Sequence, residues 1–507
     1  MNAEKKRLQE NSQKDVPLEL WGPYLSERQW GTIREDYSEN GDAWNYFTHD
    51  HARSRVYRWG EDGLGGISDY NQRLCFAVAL WNGNDPILKE RLFGLTNGEG
   101  NHGEDVKELY YYLDNVPSHY YMKYLYKYPQ ATFPYEELIT QNRSRSRQET
   151  EYEILDTGVF RDNNYFDIVI EYAKQSSTDI FIKIDILNRG RNSAPLTILP
   201  TLWFYNHWQF GEDSKKPLLQ LEDTGTVHAV NELPGDYYFY FFGTDEILFT
   251  ENETNNEKLF NRPNQADVVK DAFHDAIIKN KNRDMLKKRK MGTKCAPVYK
   301  FTIEPGVSRT IYLRLSNEKI MAPFPKDFEN VFTIRKKEAD EFYSDIIPAG
   351  VSPESTNIYR QAFAGLLWSK QYYHYDVDRW LQTSDGITDH NLSRLLQRNH
   401  EWKNLKAKDI LLMPDKWEYP WFAAWDLAFH CIPMAMIDPA FAKHQLLILM
   451  REWYMNPEGQ VPAYEWNFGD VNPPVQAFAA LRVYEIEKEK TGAYQAPYYF
   501  TEATESY

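Results

Sequence analysis

The sequence predicts a multidomain protein in which a large antiparallel β-sandwich precedes a set of helical hairpins. Three observations support this fold class. The 507 residues exceed what one hydrophobic core normally organises, and the 42% apolar content excludes a largely disordered chain. Between about residues 74 and 320, short segments alternate apolar and polar residues with a period of two. After about residue 350 the apolar spacing changes to three and four, which is typical of helices.

The clearest strand patterns are two neighbouring segments, 166–172 and 179–186, in which Ile and other apolar residues alternate with polar ones. An Asn-Arg-Gly turn at 188–190 follows the second segment. Further strands are predicted at 74–81, 108–113, 120–126, 196–205, 236–243, 246–250, 299–303 and 309–315. So many strands at short spacing favour a large antiparallel sandwich.

Changes in composition predict the domain boundaries. We expect a polar N-terminal arm at 1–20, a β-sandwich at 21–320 with a polar insertion at about 252–292, a linker helix at 321–350, a helical region at 351–490 and an atypical tail at 491–507. Within the helical region, a helix over 422–437 carries an apolar stripe from Phe422 through Phe429 to Met436. It ends at Asp438-Pro439, where Asp caps the next helix and Pro occupies its first turn.

Charge and segment composition restrict the partners and the location. Lys and Arg number 58 against 74 Asp and Glu, so the net charge is −16, which disfavours nonspecific binding to nucleic acid or anionic membranes. The first fifteen residues lack the apolar core of a signal peptide, and no apolar run approaches the ~20 residues that a membrane span needs. We expect a soluble, cytoplasmic protein.

The sequence contains no motif for a metal or a cofactor. The three cysteines, Cys75, Cys295 and Cys431, lie far apart and show no metal-ligand or disulfide spacing. His49 and His51 flank an Asp but lack a third ligand at a recognisable spacing, so a hydrogen-bonded loop is the better interpretation. The glycine-rich stretch 60–66 has neither a P-loop nor a dinucleotide fingerprint.

Aromatic residues and carboxylates are interleaved in two stretches, 419–426 and 462–474. Aromatic rings stack on the apolar faces of sugars, and acids and amides bond to sugar hydroxyls. A desolvated acid can also protonate a glycosidic oxygen. This pattern favours a carbohydrate site centred on Asp426 as catalytic acid. The candidate substrate-binding residues are Tyr419, Trp421, Phe422, Trp425, Glu465, Trp466, Asp470 and Asn472.

The environment of Asp426 leaves two interpretations open. The residue lies about 100° round the helix from Trp425, at the edge of the apolar stripe. It also lies near the helix N-terminus, where the helix dipole stabilises the anion. A general acid needs the opposite, a raised pKa, which burial among aromatic rings would provide. The structural alternative is a buried helix with one hydrogen-bonded Asp.

Several long motifs resemble glycoside hydrolase family 63, the processing α-glucosidases, and in particular its bacterial members. They are WFAAWD at 421–426, GPYLSERQWGT at 22–32, REDYS at 34–38, HDHARSR at 49–55, EW at 465–466 and DVNPP at 470–474. The resemblance extends nearly to residue 490. It implies an (α/α) barrel of six helical hairpins behind the sandwich, and inversion at an α-glucosidic bond. It places the general acid on Asp426 and the base on a Glu in the latter part of the barrel.

The sequence departs from the family in the number of helices. A six-hairpin barrel needs about twelve helices, whereas we place only five or six after residue 350. The base is therefore expected in a part of the barrel that this chain lacks. Glu465 could replace it only at the separation from Asp426 that an inverting pair requires, roughly 6.5–9.5 Å. An incomplete barrel should also expose apolar helix faces.

Two other functions fit the same residues. A catalytically inactive carbohydrate-binding protein would keep the aromatic site and lack the base. A glycoside phosphorylase would need a phosphate site opposite Asp426, and the sequence shows none.

Overall fold

The computed structural model describes residues 1–14, 18–28, 47–96, 98–102, 105–211, 215–382, 402–416, 422–465 and 472–491. The strands are β1 Trp21–Gly22, β2 Leu64–Asp69, β3 Leu74–Trp81, β4 Gly94–Leu95, β5 Asp105–Val106, β6 Tyr110–Asn115, β7 Tyr121–Pro129, β8 Tyr165–Ser176, β9 Asp179–Asn188, β10 Ala194–Phe204, β11 Leu218–Asp223, β12 Thr226–Val230, β13 Tyr237–Phe241, β14 Ile247–Thr250, β15 Met291–Gly292, β16 Lys294–Pro297, β17 Tyr299–Ile303, β18 Ser308–Ser316, β19 Lys370–Asp376 and β20 Lys406–Leu412.

The helices are α1 Ala3–Lys14, α2 His49–Ser54, α3 Tyr135–Ser144, α4 Asn256–Phe260, α5 Ala272–Ile278, α6 Arg283–Lys288, α7 Phe328–Ser344, α8 Pro353–Trp368, α9 Val377–Gln382, α10 Ala424–Met434, α11 Pro439–Ile448 and α12 Val475–Thr491. Short 3-10 turns lie at Leu18–Leu20, Arg161–Asn163, Trp208–Phe210 and Glu452–Tyr454.

Two large antiparallel sheets dominate the chain up to residue 316. In the described residues, one sheet has seven strands in the order β1-β2-β3-β10-β16-β14, with β17 also paired to β10. The other has nine strands in the order β15-β11-β12-β13-β18-β9-β8-β7-β6. The sheets face each other across one apolar core, in which Phe76 of β3 lies 5.8 Å from Phe239 of β13, ring centre to ring centre. The two sheets confirm the predicted antiparallel β architecture.

In β8 and β9 apolar and polar residues alternate, and this alternation determines which face of each strand lies against the core. Ile168, Ile170 and Tyr172 of β8 are buried in the core between the sheets, and so are the alternate isoleucines of β9 from Ile180 to Ile186. Side chains of a strand point to opposite faces in turn, so this register places every Ile on one face.

The linker helix α7 lies on the outer face of the nine-stranded sheet. Phe328 and Phe332 pack there with Phe181 of β9, and the Phe181–Phe328 ring centres are 4.5 Å apart. The N-terminal helix α1 packs on α7 in turn, where Arg7 pairs with Glu338. The polar arm is therefore attached through ion pairs to the linker.

Helix α8 connects the sandwich to the helical region. Its C-terminal residue Trp368 belongs to the core between the sheets, stacking on Tyr112 of β6 at 5.3 Å and donating its indole N–H to the Asp114 carbonyl at 3.2 Å. Phe363 and Leu367 of the same helix belong to a second core. That second core joins β19, β20 and helices α10 to α12 to residues from earlier in the chain, among them Trp59, Phe133 and Phe342.

The helical region also contains strands that the sequence did not predict. Residues 370–376 and 406–412 form an antiparallel pair, β19–β20, where only helices were expected. All seven residues of β19 are buried, so the strand has no apolar–polar alternation.

Helix α3 interrupts the predicted β region. The prediction of a loop around His49 and His51 is wrong, because these residues begin α2, which Thr48 caps by accepting from His51 N–H.

The cap at Asp438 is confirmed. Its carboxylate accepts a hydrogen bond from the Phe441 N–H at 3.0 Å, and Pro439 occupies the first position of α11. Among the described residues, none of the helices combines the length and the apolar character needed to cross a bilayer.

The Trp368 stack predicts a large stability effect. Replacing Trp368 with Ala removes a fully buried indole and its hydrogen bond, so the free energy of unfolding should fall by about 3–5 kcal/mol. Chemical denaturation monitored by circular dichroism measures this. The control Leu155→Ala alters an exposed side chain and should stay within about 0.5 kcal/mol of the parent. Equal effects of both substitutions would contradict the role of the stack.

Candidate active site

Backbone pairing joins the two stretches that carry the predicted site residues. Ala423 and Tyr464 form an antiparallel bridge just before α10 begins. The Ala424 N–H donates to the Ala463 carbonyl at 3.0 Å, and the Glu465 N–H donates to the Phe422 carbonyl at 2.7 Å. Glu465 is thereby fixed beside Phe422, and Asp426 follows about one helical turn further on.

Asp426 is the third residue of α10 and is half-buried. Burial raises the pKa of its carboxyl group above the ordinary value, although a hydrogen bond from its own backbone N–H acts in the opposite direction. The conflict that the sequence left open is therefore decided by desolvation rather than by the helix terminus. A raised pKa is the condition that a general acid requires.

Glu465 is a buried carboxylate held in a constrained position. It accepts a hydrogen bond from the Tyr373 hydroxyl of β19 at 2.8 Å. Its backbone has φ of +43°, in the left-handed region that non-glycine residues rarely adopt. Residues held in such conformations cluster at functional sites, where the surrounding structure imposes them. Here the bridge to Phe422 and the Tyr373 hydrogen bond impose the conformation on Glu465.

The other predicted substrate-binding residues lie in different environments. Phe422 is buried, with ring centres 6.2 Å from Tyr373 and 5.4 Å from Tyr454. Trp425 is exposed and contacts Phe429 edge-on at 6.0 Å. Asn472 is half-buried, and its Oδ1 atom is buried without a hydrogen-bond partner among the described residues. Tyr419, Trp421, Trp466 and Asp470 lie outside the described residues.

Three polar residues on β19, α10 and α12 were not among the predicted site residues. Tyr373 was not singled out, because only the fold brings it to Glu465. His430 lies one turn after Asp426 on α10. Burial lowers its pKa, and its Nδ1 is buried without a partner in the described part of the chain. Gln476 in the first turn of α12 carries a similarly unpartnered Nε2. Each such atom calls for an explanation, and a polar ligand would supply one.

An acidic cluster elsewhere is already neutralised by the protein. Asp105, Glu151 and Glu153 bring their carboxylates within reach of one ion, the only such group among the described residues. The Lys107 ammonium lies among them, at 2.7, 2.9 and 2.8 Å respectively. Lysine therefore supplies the positive charge that a metal would otherwise provide.

A polar cavity of about 20 Å³ lies on the outer face of the seven-stranded sheet, large enough for one water molecule. Its charged walls pair with one another: Arg91 with Asp62 at 3.0 Å, and Lys294 with Glu90 at 2.7 Å. These partners hold the pKa of Glu90 at about 2, despite its burial. The charged groups that line the cavity are paired with one another, so we do not treat the cavity as a second candidate site.

Comparison with known proteins gives one strong relative. No protein-family model matches the chain. The uncharacterized protein YMR196W of Saccharomyces cerevisiae is 46% identical over 533 aligned positions, which cover 96% of this chain and 49% of the yeast protein. The chain thus spans about half the length of the curated relative it matches.

Solved structures resemble the chain only weakly. A kojibiose phosphorylase from the human microbiome has a TM-score of 0.24 at 11% identity, covering 94% of this chain and 54% of its own. A polysaccharide lyase has a TM-score of 0.22 at 10% identity, covering 52% of this chain and 28% of its own. Similarities this low carry no argument about fold or function.

The raised pKa of Asp426 predicts a pH-dependent stability difference. Above its folded pKa, the parent holds a half-buried charge that Asp426→Asn lacks. Because the folded pKa exceeds that of the unfolded chain, the parent should lose stability relative to the variant as pH rises from about 4 to 7. Denaturation midpoints across this range measure the difference.

Asp345 provides a control, because the pH dependence expected for its contribution to stability has the opposite sign. The Lys5 ammonium, 2.7 Å away, lowers the pKa of the exposed Asp345. Its contribution should therefore fade as pH falls, so Asp345→Asn should approach the parent at low pH. Slopes of the same sign for both variants would contradict the assignment.

Proposed function

We propose that this protein is a carbohydrate-active enzyme of the glycoside hydrolase class. More particularly, we place it beside glycoside hydrolase family 63, as an enzyme that cleaves an α-glucosidic bond with inversion. The observation that carries the proposal is the pairing of Asp426, an acid of raised pKa, with the buried Glu465 on a bridged segment. The motifs at 421–426 and 465–474 support the family, and a helical barrel behind the sandwich would complete the site.

In the proposed reaction Asp426 is the general acid. Its carboxyl proton passes to the glycosidic oxygen as the bond from that oxygen to the anomeric carbon breaks. A water molecule attacks the anomeric carbon from the opposite face, and a second carboxylate takes the proton of that water. Half-burial keeps Asp426 protonated at a higher pH than an exposed aspartate, which prepares it for the first step.

The second carboxylate has two candidate sources. The resemblance implies a Glu in a part of the barrel outside these residues, and the chain covers only about half of its yeast relative. Glu465 is the candidate within this chain. Its Oε1 accepts a hydrogen bond from Tyr373, and its backbone N–H donates to Phe422 at the entrance of α10. This arrangement favours substrate binding for Glu465, together with Trp425 and Asn472.

Asp426→Asn should lower the turnover rate strongly, and the variant should still bind the sugar. Loss of the acid should lower kcat for unactivated α-glucosides by roughly 10²–10⁴, because general acid catalysis typically supplies that factor. Substrates with good leaving groups need less protonation, so they should lose less. Glucose release from a panel of α-glucosides is measured with this chain supplied with the unmatched half of the yeast relative, the expected source of the base, and calorimetry measures binding.

The matched control is Asp438→Asn. Asp438 also lies at a helix N-terminus, but it caps α11, and Asn caps a helix about as well. Its kcat should remain near that of the parent. Sugar binding without hydrolysis at any pH, by this chain and by the full-length yeast relative alike, would refute the enzyme in favour of a carbohydrate-binding protein. Dependence of the rate on phosphate would indicate a phosphorylase.

Glu465→Gln distinguishes the two sources of the base. If Glu465 binds substrate, as we propose, the substitution should raise KM and leave kcat within a few-fold, because binding is lost equally in ground and transition states. A fall in kcat of roughly 10²–10⁴ with little change in KM would instead make Glu465 the base. The control Glu458→Gln changes an exposed glutamate in the preceding loop and should alter neither parameter.

A further inference from the structure

Helix α10 is apolar on two sides. All of its eleven residues except Asp426 and His430 are apolar or Pro. One side, from Ala424 through Leu427 and Cys431 to Met434, is buried in the second core. The opposite side carries Trp425, Phe429 and, just beyond the helix end, Met436, which are 40%, 44% and 36% exposed.

The neighbouring helix α12 also exposes apolar side chains. Ala479 and Val483 are buried against the second core, whereas Phe478 and Leu481 are 51% and 55% exposed. Helices α10 and α12 pack on each other. We name the side chains of Phe429, Met436, Phe478 and Leu481 the outer apolar face.

We propose that the outer apolar face is the docking surface for an amphipathic helical segment, corresponding to the half of the yeast relative that the match does not cover. A helix that is apolar all round is normally buried all round, and α10 is buried on one side only. Side chains on a helix present ridges and grooves that another helix fills, so the complementary partner is helical.

The comparison supports this partner over others. The yeast protein shares 46% identity with this chain across the matched half, so it contains the same helices, and it carries about as much chain again. Within one polypeptide, that second half meets the face at a high effective concentration.

A second copy of this chain is the competing occupant. Each copy has a net charge of −16, so two copies repel each other as they approach. Charge therefore disfavours self-association.

The test combines this chain with the unmatched half of the yeast protein, produced as a separate polypeptide by co-expression. Size-exclusion chromatography with light scattering should show a one-to-one complex, and the matching half of the yeast protein should form one too. Phe429→Glu and Leu481→Glu should each weaken the complex by at least about 100-fold, since each buries an unpaired charge in the interface.

The control is Met321→Glu, which alters a side chain that is 94% exposed and lies outside the helical region, and it should leave the complex unchanged. Circular dichroism establishes that each variant is folded. If Phe429→Glu fails to fold, Leu481→Glu provides the result, because Leu481 is the more exposed residue.

Three outcomes would overturn the proposal: no complex with either half, a complex that both glutamate variants leave intact, or a homodimer of this chain that those variants dissociate. The last would assign the face to a second copy. None of these readouts depends on enzyme activity, so the proposed function can fail while the docking surface holds, and the reverse.

Discussion

The arrangement of the candidate site depends on a short backbone pairing between residues 422–424 and 463–465. These residues are some forty positions apart in the chain, and two main-chain hydrogen bonds fix one segment against the other. The bridge determines where α10 begins, and so where Asp426 lies. It also holds the Glu465 backbone in a conformation that an unrestrained glutamate would avoid. One local pairing therefore positions both carboxylates.

Several polar groups close to this pairing are buried or half-buried. Burial raises the pKa of Asp426, although a hydrogen bond from its own backbone N–H acts in the opposite direction. Glu465 retains a hydroxyl donor in Tyr373, while His430, Asn472 and Gln476 each have an atom without a partner in the described residues. A folded protein seldom leaves such atoms unpaired in its interior. The region thus combines a fixed backbone with polar atoms that have no partner among the described residues.

Much of the β architecture could be read from the sequence, because β8 and β9 bury one face and alternate accordingly. The pair β19–β20 could not be read in this way. Tyr372, Tyr373, His374 and Tyr375 are all buried, so both faces look alike and no period emerges. The partner strand also lies some thirty residues away, beyond any local pattern.

The same distinction applies to the site. Asp426 was predicted as a site residue because aromatic residues adjoin it in sequence, whereas Tyr373 reaches Glu465 across 92 positions and leaves no local signal. The structure divides the apolar stripe predicted for α10, because Phe422 is buried whereas Trp425, Phe429 and Met436 are exposed. Since both sides of the helix are apolar, periodicity alone could not select the inner one.

Helix α8 contributes residues to both hydrophobic cores of the molecule. Trp368 lies in the core between the sheets, and Leu367, the residue before it, lies in the second core, to which the helical region contributes. One rigid element is thus shared by both cores, and neither can melt without disturbing the other. A ligand held near Asp426 would therefore raise the melting temperature of sheets that it never touches, through thermodynamic linkage alone.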